Sequence, residues 1–298
     1  MTLLSSPGQA APSEHTPAVL ALSRQCREVA MAAARAVQAP LTEVFRSRMD
    51  VDTKVDFHDI VTIHDKATEE RLIAFILREM PDSAILGEEG GATGSGRVQW
   101  YVDPIDGTAN FARGLAFWCI SIGAVVDGDI VAGAILDPVS GAMFSADLTG
   151  AWLGDAPLRS RAAAHEREAV LITGYPVARD LRLDGRADAL ENFAQLTETF
   201  STLRRPGSAA LSIAHVAAGW ADAAAGFGVN PWDVTAAILI LKQAGGSYHP
   251  LTLGKVAAGS RDYLCPGYVA LGEGADYPTF TRIAQGISDQ RDAARARL

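Results

Sequence analysis

Apolar residues recur at Val19, Leu20, Leu22, Cys26, Val29, Ala30 and Ala33 with polar residues between them. This period of 3.6 predicts a long amphipathic helix over residues 16–47. Ser47 to His58 holds many charges and few apolar residues, the pattern of an exposed loop or hairpin. Asp59 to Asp65 then leads into a second helix, Lys66–Met80, with Leu72, Ile73, Ile76 and Leu77 on its apolar side and Pro81 at its end. The period next shortens. Ser83–Leu86 and Trp100–Val102 read as strands, and Pro104 with Gly107 predicts that the second one stops there. Cys119–Val126 and Ile130–Leu136 are apolar strands joined by the turn Asp127-Gly128-Asp129, and Met143–Ala146 and Ala151–Leu153 continue the run.

From about residue 166 strands and helices alternate: Ala169–Thr173, Ala187–Thr199, Ser201–Arg204, Ser208–Ala218, Ala221–Ala225, Trp232–Ala244 and Tyr268–Leu271. A terminal helix is expected over residues 277–286, followed by a frayed end. The first half therefore reads as α+β and the second as α/β. The domain division expected is a disordered tail over 1–15, an α+β domain over 16–165 and an α/β domain over 166–298.

The 298 residues suffice for substantial cores, and 48% hydrophobic with 20% charged residues is an ordinary globular balance. The net charge of −9 argues against nonspecific nucleic-acid binding, which needs cations to displace counterions. No apolar run is long enough to span a membrane. Met1 to His15 has no basic segment followed by an apolar one, so it reads as a tail and not a signal peptide. Cys26, Cys119 and Cys265 are odd in number and widely spaced, which suits buried thiols in a reducing compartment, the cytoplasm. No Cys or His pair has zinc spacing.

The chemistry concentrates in Trp100-Tyr101-Val102-Asp103-Pro104-Ile105-Asp106-Gly107-Thr108. Two carboxylates presented together at a strand end repel each other unless a cation lies between them, and Mg²⁺ prefers such oxygen ligands. Further acids fall at element ends: Asp59 and Asp65, Glu88 and Glu89, and Asp233 beside Trp232. Singly, Asp65 and Asp233 also read as helix caps and Glu88-Glu89 as a solvated loop. Their joint occurrence at apolar-to-loop boundaries points to a single acidic site. His58 and His64 read as solvated, Trp118 as core, and Gly245-Gly246 as a helix C-cap.

The ordered series Asp59-Ile-Val-Thr-x-x-Asp65, Gly87-Glu88-Glu89, Asp103-Pro-Ile-Asp106-Gly-Thr108 and Trp232-Asp233 resembles the inositol monophosphatase family. That family belongs to the lithium-sensitive, Mg²⁺-dependent phosphomonoesterases. The resemblance covers about residues 20–273 and includes Pro206-Gly-Ser-Ala-Ala210. It implies a layered αβαβα sandwich of the inositol monophosphatase/fructose-1,6-bisphosphatase type. It also implies a homodimer acting on a small phosphorylated metabolite, with two or three Mg²⁺ per site. Glu88, Asp103 and the Ile105 carbonyl resemble ligands of the first ion, and Asp103, Asp106 and Asp233 those of the second. Glu88 would help hold a third, with Glu89 in its outer shell. Asp65 and Thr108 resemble the pair that orients and activates the nucleophilic water. Gly107 and Thr108 would offer backbone N–H groups to phosphate, and Gly207, Ser208, Ala209 and Lys54 would lie on the substrate side.

The resemblance places inositol 1-phosphate first among substrates. Histidinol phosphate, fructose 1,6-bisphosphate, other sugar phosphates and nucleotide 3′-phosphates stay open. Family members acting on inositol phosphate commonly carry a Glu seven residues before the Trp-Asp aspartate, and here that position is Gly226. Gly226→Glu is therefore the expected test of inositol recognition. Tyr175, Arg179 and Arg182 read as surface residues with a secondary option of facing substrate. A non-catalytic scaffold or regulatory homologue is the rival class. A nucleotide-dependent oxidoreductase or kinase lacks the glycine-rich loop that it needs.

Overall fold

The computed structural model describes residues 15–47, 52–53 and 60–297. Most of the expected N-terminal tail, and Lys54, His58 and Asp59, lie outside the described residues. The first element among the described residues is α1 (Pro17–Val44), capped by the Thr16 hydroxyl, which accepts from Val19 N. Strands β1 (Asp52–Thr53) and β2 (Ile60–Val61) pair antiparallel and lead into α2 (Ile63–Glu79).

A mixed eight-stranded sheet follows: β3 (Ser83–Gly87), β4 (Gly91–Gly94), β5 (Val98–Asp106), β6 (Cys119–Val126), β7 (Asp129–Leu136), β8 (Met143–Asp147), β9 (Gly150–Leu153) and β10 (Ala156–Pro157). Their spatial order is β10-β9-β8-β7-β6-β5-β3-β4, with only β3 and β5 parallel. The short α3 (Thr108–Arg113) links β5 to β6. The second half forms β11 (Val170–Thr173), β12 (Thr202–Arg204), β13 (Ala223–Phe227), β14 (Ser247–Leu251) and β15 (Gly267–Leu271), ordered β12-β11-β13-β15-β14. Its helices are α4 (Ala178–Leu183), α5 (Arg186–Thr199), α6 (Ala209–Ala217), α7 (Pro231–Gln243) and α8 (Pro278–Arg295).

The apolar stripe of α1 (Cys26, Val29, Ala30, Ala33, Val37, Leu41) packs with Leu72 and Ile76 of α2 onto one face of the large sheet. The other face meets α6 and α7. Beyond these lies the five-stranded sheet, closed by α5 and α8 through Leu196, Phe280 and Ile283. The layers are thus αβαβα, as the resemblance implies. Gly123 and Gly133 pair across β6 and β7. A Cβ on them would come within 2.6 Å of Thr235 and 2.7 Å of Ala236. Their bareness lets α7 lie directly on the sheet, which carries the start of that helix to the end of β5.

Three expectations are corrected. The strand expected to stop before Pro104 continues to Asp106, because a register shift between Asp103 and Asp106 takes Pro104 out of the ladder. The last helix runs on to Arg295 and does not fray after residue 286. Arg291 anchors it, buried and paired with Asp180 and Asp184. His64 is not simply solvated; it is half-buried, edge-on to Phe111.

Candidate active site

Residues three apart on a regular strand point to opposite faces. On β5, Asp103 pairs with Ser121 but Asp106 pairs with Cys119, so one extra residue is accommodated between them. The bulge turns both carboxylates to one side, and both are buried. Glu88 follows β3, and its N–H donates to the Val102 carbonyl at 3.2 Å, which sets it beside Asp103. Asp233 sits in the first turn of α7, where its Oδ2 accepts from Asn230 N at 2.8 Å. Ser121, opposite Asp103, donates to the Trp232 carbonyl at 3.2 Å and ties that helix start to β6.

Burial raises the Asp103 carboxyl well above its ordinary range, and the charges of Glu88, Asp106 and Asp233 add to the shift. Asp233 is likewise raised, by burial and then by Asp106. Asp106 is raised by burial against the opposing pull of Ser208, Ala210 and Ala209. Its Oδ2 accepts from Ser208 Oγ and from Ala210 N, each at 2.6 Å. Asp103 Oδ1 accepts from Ile105 N at 2.9 Å. One oxygen of each carboxylate therefore holds its own turn or a helix start.

Among the described residues no three His, Cys, Asp or Glu side chains form a finished metal cage. The repulsion among Glu88, Asp103, Asp106 and Asp233 is the stronger indication, because carboxylates crowded in a buried space are relieved by a cation between them. The donors are all hard oxygens, the set that fits Mg²⁺. Glu88, Asp103, Asp106 and Asp233 meet in this way; Asp103 and Asp106 are buried, and Glu88 and Asp233 are half-buried, as is Glu89 next in the chain.

A second set of contacts hangs from α2. Asp65, fully buried, accepts at Oδ2 from Thr62 N and Thr62 Oγ1, both at 2.7 Å, and so caps its own helix. Its Oδ1 lies 3.0 Å from Thr108 Oγ1, which is equally close to the Ile105 carbonyl. One turn further along α2, the buried Glu69 accepts from Glu89 N at 2.8 Å and Gly90 N at 2.6 Å. Sequence reading missed Glu69; its only signal was a carboxylate four residues after Asp65 on the same face. Gly107 opens α3 at φ 101°, where a Cβ would press on the Phe117 carbonyl at 3.0 Å. Asn110 Nδ2 donates to the carbonyls of Phe117 at 2.7 Å and Pro206 at 2.6 Å, which joins this turn to the Gly207 segment.

The same plan is present in known proteins. The inositol monophosphatase family profile matches residues 23–285. The chain belongs to the inositol monophosphatase family. It is 36% identical over 249 residues to the Nus factor SuhB of Pseudomonas aeruginosa, covering 80% of this chain and 89% of that protein. It is 33% identical over 211 residues to the fructose-1,6-bisphosphatase/inositol-1-monophosphatase of Aquifex aeolicus, covering 68% and 78% of the two chains. The Thermotoga maritima IMPase structure superposes with a TM-score of 0.74 at 27% identity, over 90% of this chain and 98% of that one. As an inositol monophosphatase family member the chain is a phosphatase, a phosphoric monoester hydrolase.

In this inositol monophosphatase family chain a cavity of about 170 Å³ adjoins the acidic cluster, lined in part by Gly207, Ser208 and Ala209. The Ser208 hydroxyl and the Ala210 N–H are directed to Asp106, so the start of α6 steadies that carboxylate. Tyr175 and Arg179 line the cavity and Arg182 does not, which corrects the expectation that all three are surface residues. Gly226 lies in the wall, paired across strands with Tyr268. A Cβ there would stand 2.6 Å from the Tyr268 ring, so the buried tyrosine fills the room that a longer side chain would need. Gly226→Glu is therefore not a simple restoration.

Proposed function

We propose that this chain hydrolyses a small phosphate monoester with Mg²⁺ held by Glu88, Asp103, the Ile105 carbonyl, Asp106 and Asp233, and with Glu89 outside them. The observation that carries the reading is the convergence of Glu88, Asp103, Asp106 and Asp233 around the buried end of β5, each aspartate raised by burial and Asp103 and Asp233 also by like charge. Two or three Mg²⁺ bound there would neutralise phosphate and lower the pKa of water.

The chain's own groups supply orientation. Thr108 Oγ1, held by Asp65 Oδ1, accepts a hydrogen bond from the attacking water while it donates to the carboxylate. Asp65 in turn is locked by Thr62, so the pair cannot swing. Gly107 and Thr108 begin α3, whose first N–H groups have no partner within the helix and would receive phosphate oxygens. Gly207, Ser208 and Ala209, which line the adjoining cavity, would make the substrate-side backbone contact. No covalent phosphoenzyme is required.

Family membership supports inositol 1-phosphate as the first substrate to test, while Gly226 removes the carboxylate that would meet ring hydroxyls. Histidinol phosphate, fructose 1,6-bisphosphate, other sugar phosphates and nucleotide 3′-phosphates are the alternatives. We extend the proposal to two pseudo-domains, 16–165 and 166–298, each built on one of the sheets, and to homodimer formation and lithium sensitivity, on the same resemblance. A cytoplasmic location is supported by three buried free thiols, and among the described residues no helix is long and apolar enough to cross a membrane.

Relatives named Nus factor favour a second reading, a scaffold or regulatory role for the fold. Phosphate release by the purified protein across a panel of esters, with Mg²⁺ and with chelator, separates the two. Release that needs Mg²⁺ and collapses in Asp103→Asn supports the enzyme; the absence of turnover on every ester supports the scaffold.

A further inference from the structure

One wall of the cavity carries a cation and aromatic rings. Arg179 projects from α4, and its Nη2 donates to the Phe227 carbonyl and lies 3.3 Å from Asp180 Oδ1. Its guanidinium lies where a Cβ on Gly228 would stand, so a glycine two residues after Gly226 makes the room for it. The side chain is 41% exposed and lines the cavity together with Gly226, Phe227 and Tyr268. A guanidinium carries five N–H donors. Among the described residues the contacts of Arg179 use Nε and Nη2, which leaves the Nη1 donors outside them.

The acid on this wall is already engaged. Asp180 Oδ1 takes Arg291 at 3.0 Å as well as Arg179, and its Oδ2 accepts from Val177 N at 3.0 Å. Arg291 is occupied in turn by Asp184, through contacts of 2.6 and 2.7 Å. Lys255 stands in the field of both arginines. Arg179 and Asp180 are the charged residues that line the cavity, and Arg179 is 41% exposed against 2% for Asp180, so the charge offered to the cavity is the cation. Sugar or cyclitol hydroxyls need acceptors, and the carboxylate on this wall, Asp180, is buried in its ion pairs. The Gly226–Tyr268 pair excludes another carboxylate from the same wall.

We propose that Arg179 is a specificity-determining residue that receives a second anionic group, a phosphate or a carboxylate, on the leaving-group side of the substrate. A guanidinium fork matches either group with paired hydrogen bonds. The proposal deepens the phosphatase reading and rests on it.

The test compares kcat/KM with Mg²⁺ for wild type, Arg179→Gln and Arg179→Lys on four esters. Inositol 1-phosphate and glycerol 2-phosphate have neutral leaving groups, fructose 1,6-bisphosphate brings a second phosphate, and 3-phosphoglycerate brings a carboxylate. Wild type is expected to prefer one or both anionic esters, and which one it prefers identifies the anion. Arg179→Gln is expected to lose about 10- to 100-fold on the preferred ester and to change less than about 3-fold on the neutral pair, with Arg179→Lys between. Equal losses on all four, or no loss on any, overturn the proposal. Calorimetric binding of the same esters asks the question without turnover. No turnover with a binding preference that Arg179→Gln abolishes sinks only the hydrolytic reading. Binding without preference, or no binding, sinks the role of Arg179. Thermal melts of both variants verify that they fold.

Discussion

Thr108 Oγ1 and Asp65 Oδ1 lie 3.0 Å apart although 43 residues separate them in the chain. Asp65 → Asn keeps an acceptor for Thr62 but loses the negative charge, and Thr108→Val keeps the shape but loses the hydroxyl. Each is expected to lower kcat by about 10²- to 10⁴-fold with KM little changed. Thr108→Ser, which retains the hydroxyl, is expected to keep most of the activity. Steady-state kinetics at saturating Mg²⁺ decides; a change confined to KM would mean that the pair binds substrate and does not orient water.

Removal of Asp103 tests the acidic centre directly. In wild type, Mg²⁺ at about 100 times its dissociation constant is expected to stabilise the fold by about 2.7 kcal/mol. In Asp103→Asn that gain is expected to be largely lost, and phosphate release with it. Differential scanning fluorimetry with and without chelator reads the first effect. An undiminished Mg²⁺ response in the variant would remove Asp103 from the ligand set.

Glu69 holds the turn that presents Glu88. Glu69→Ala leaves the N–H groups of Glu89 and Gly90 without their carboxylate and is expected to destabilise the protein by about 1–3 kcal/mol in urea titration. The Mg²⁺ concentration for half-maximal velocity is expected to rise more than kcat falls, because the residue acts by placing Glu88. Glu69→Gln, which keeps an acceptor oxygen, should restore part of both.

Much of this arrangement was legible in the sequence because it rests on local rules. Turn residues and charged clusters at apolar boundaries marked Asp65, Glu88, Asp103, Asp106 and Asp233, and periodicity marked α1, α7 and the β6–β7 hairpin. The illegible parts depend on contacts between distant segments. Pro104 signalled a strand end, and only pairing with β6 shows that a bulge absorbs it. Glu69 looked like one more polar helix residue until the Glu89–Gly90 turn came to it. Arg291 sat in an Arg- and Ala-rich end that looked frayed, and its partners lie more than 100 residues away.

Gly226→Glu meets the Tyr268 ring. The single variant is expected to lose about 1–3 kcal/mol of stability through overpacking and to gain no activity on inositol 1-phosphate. Gly226→Glu combined with Tyr268→Ala is expected to recover part of the stability. Chemical denaturation of the single and double variants reads the coupling, and additive effects would show that the two positions do not compete for space.

Arg291 neutralises two buried carboxylates. Arg291→Met leaves Asp180 and Asp184 without their main partner and is expected to cost about 3–5 kcal/mol, read by urea titration. Combining it with Asp180→Asn and Asp184→Asn should recover a large part of the loss, since the penalty comes from the unpaired charges.

Ser208 and Ala210 grip Asp106 from 102 and 104 residues downstream, and Asp233 comes from further along still. Neither sheet alone can assemble the acidic centre. A partly folded chain in which the later sheet has not yet docked would carry Glu88 and Asp103 but no latch on Asp106. On the proposed reading, divalent-ion affinity would need both sheets in place, and Mg²⁺ binding would then be a gauge of whether the whole polypeptide has reached its native state.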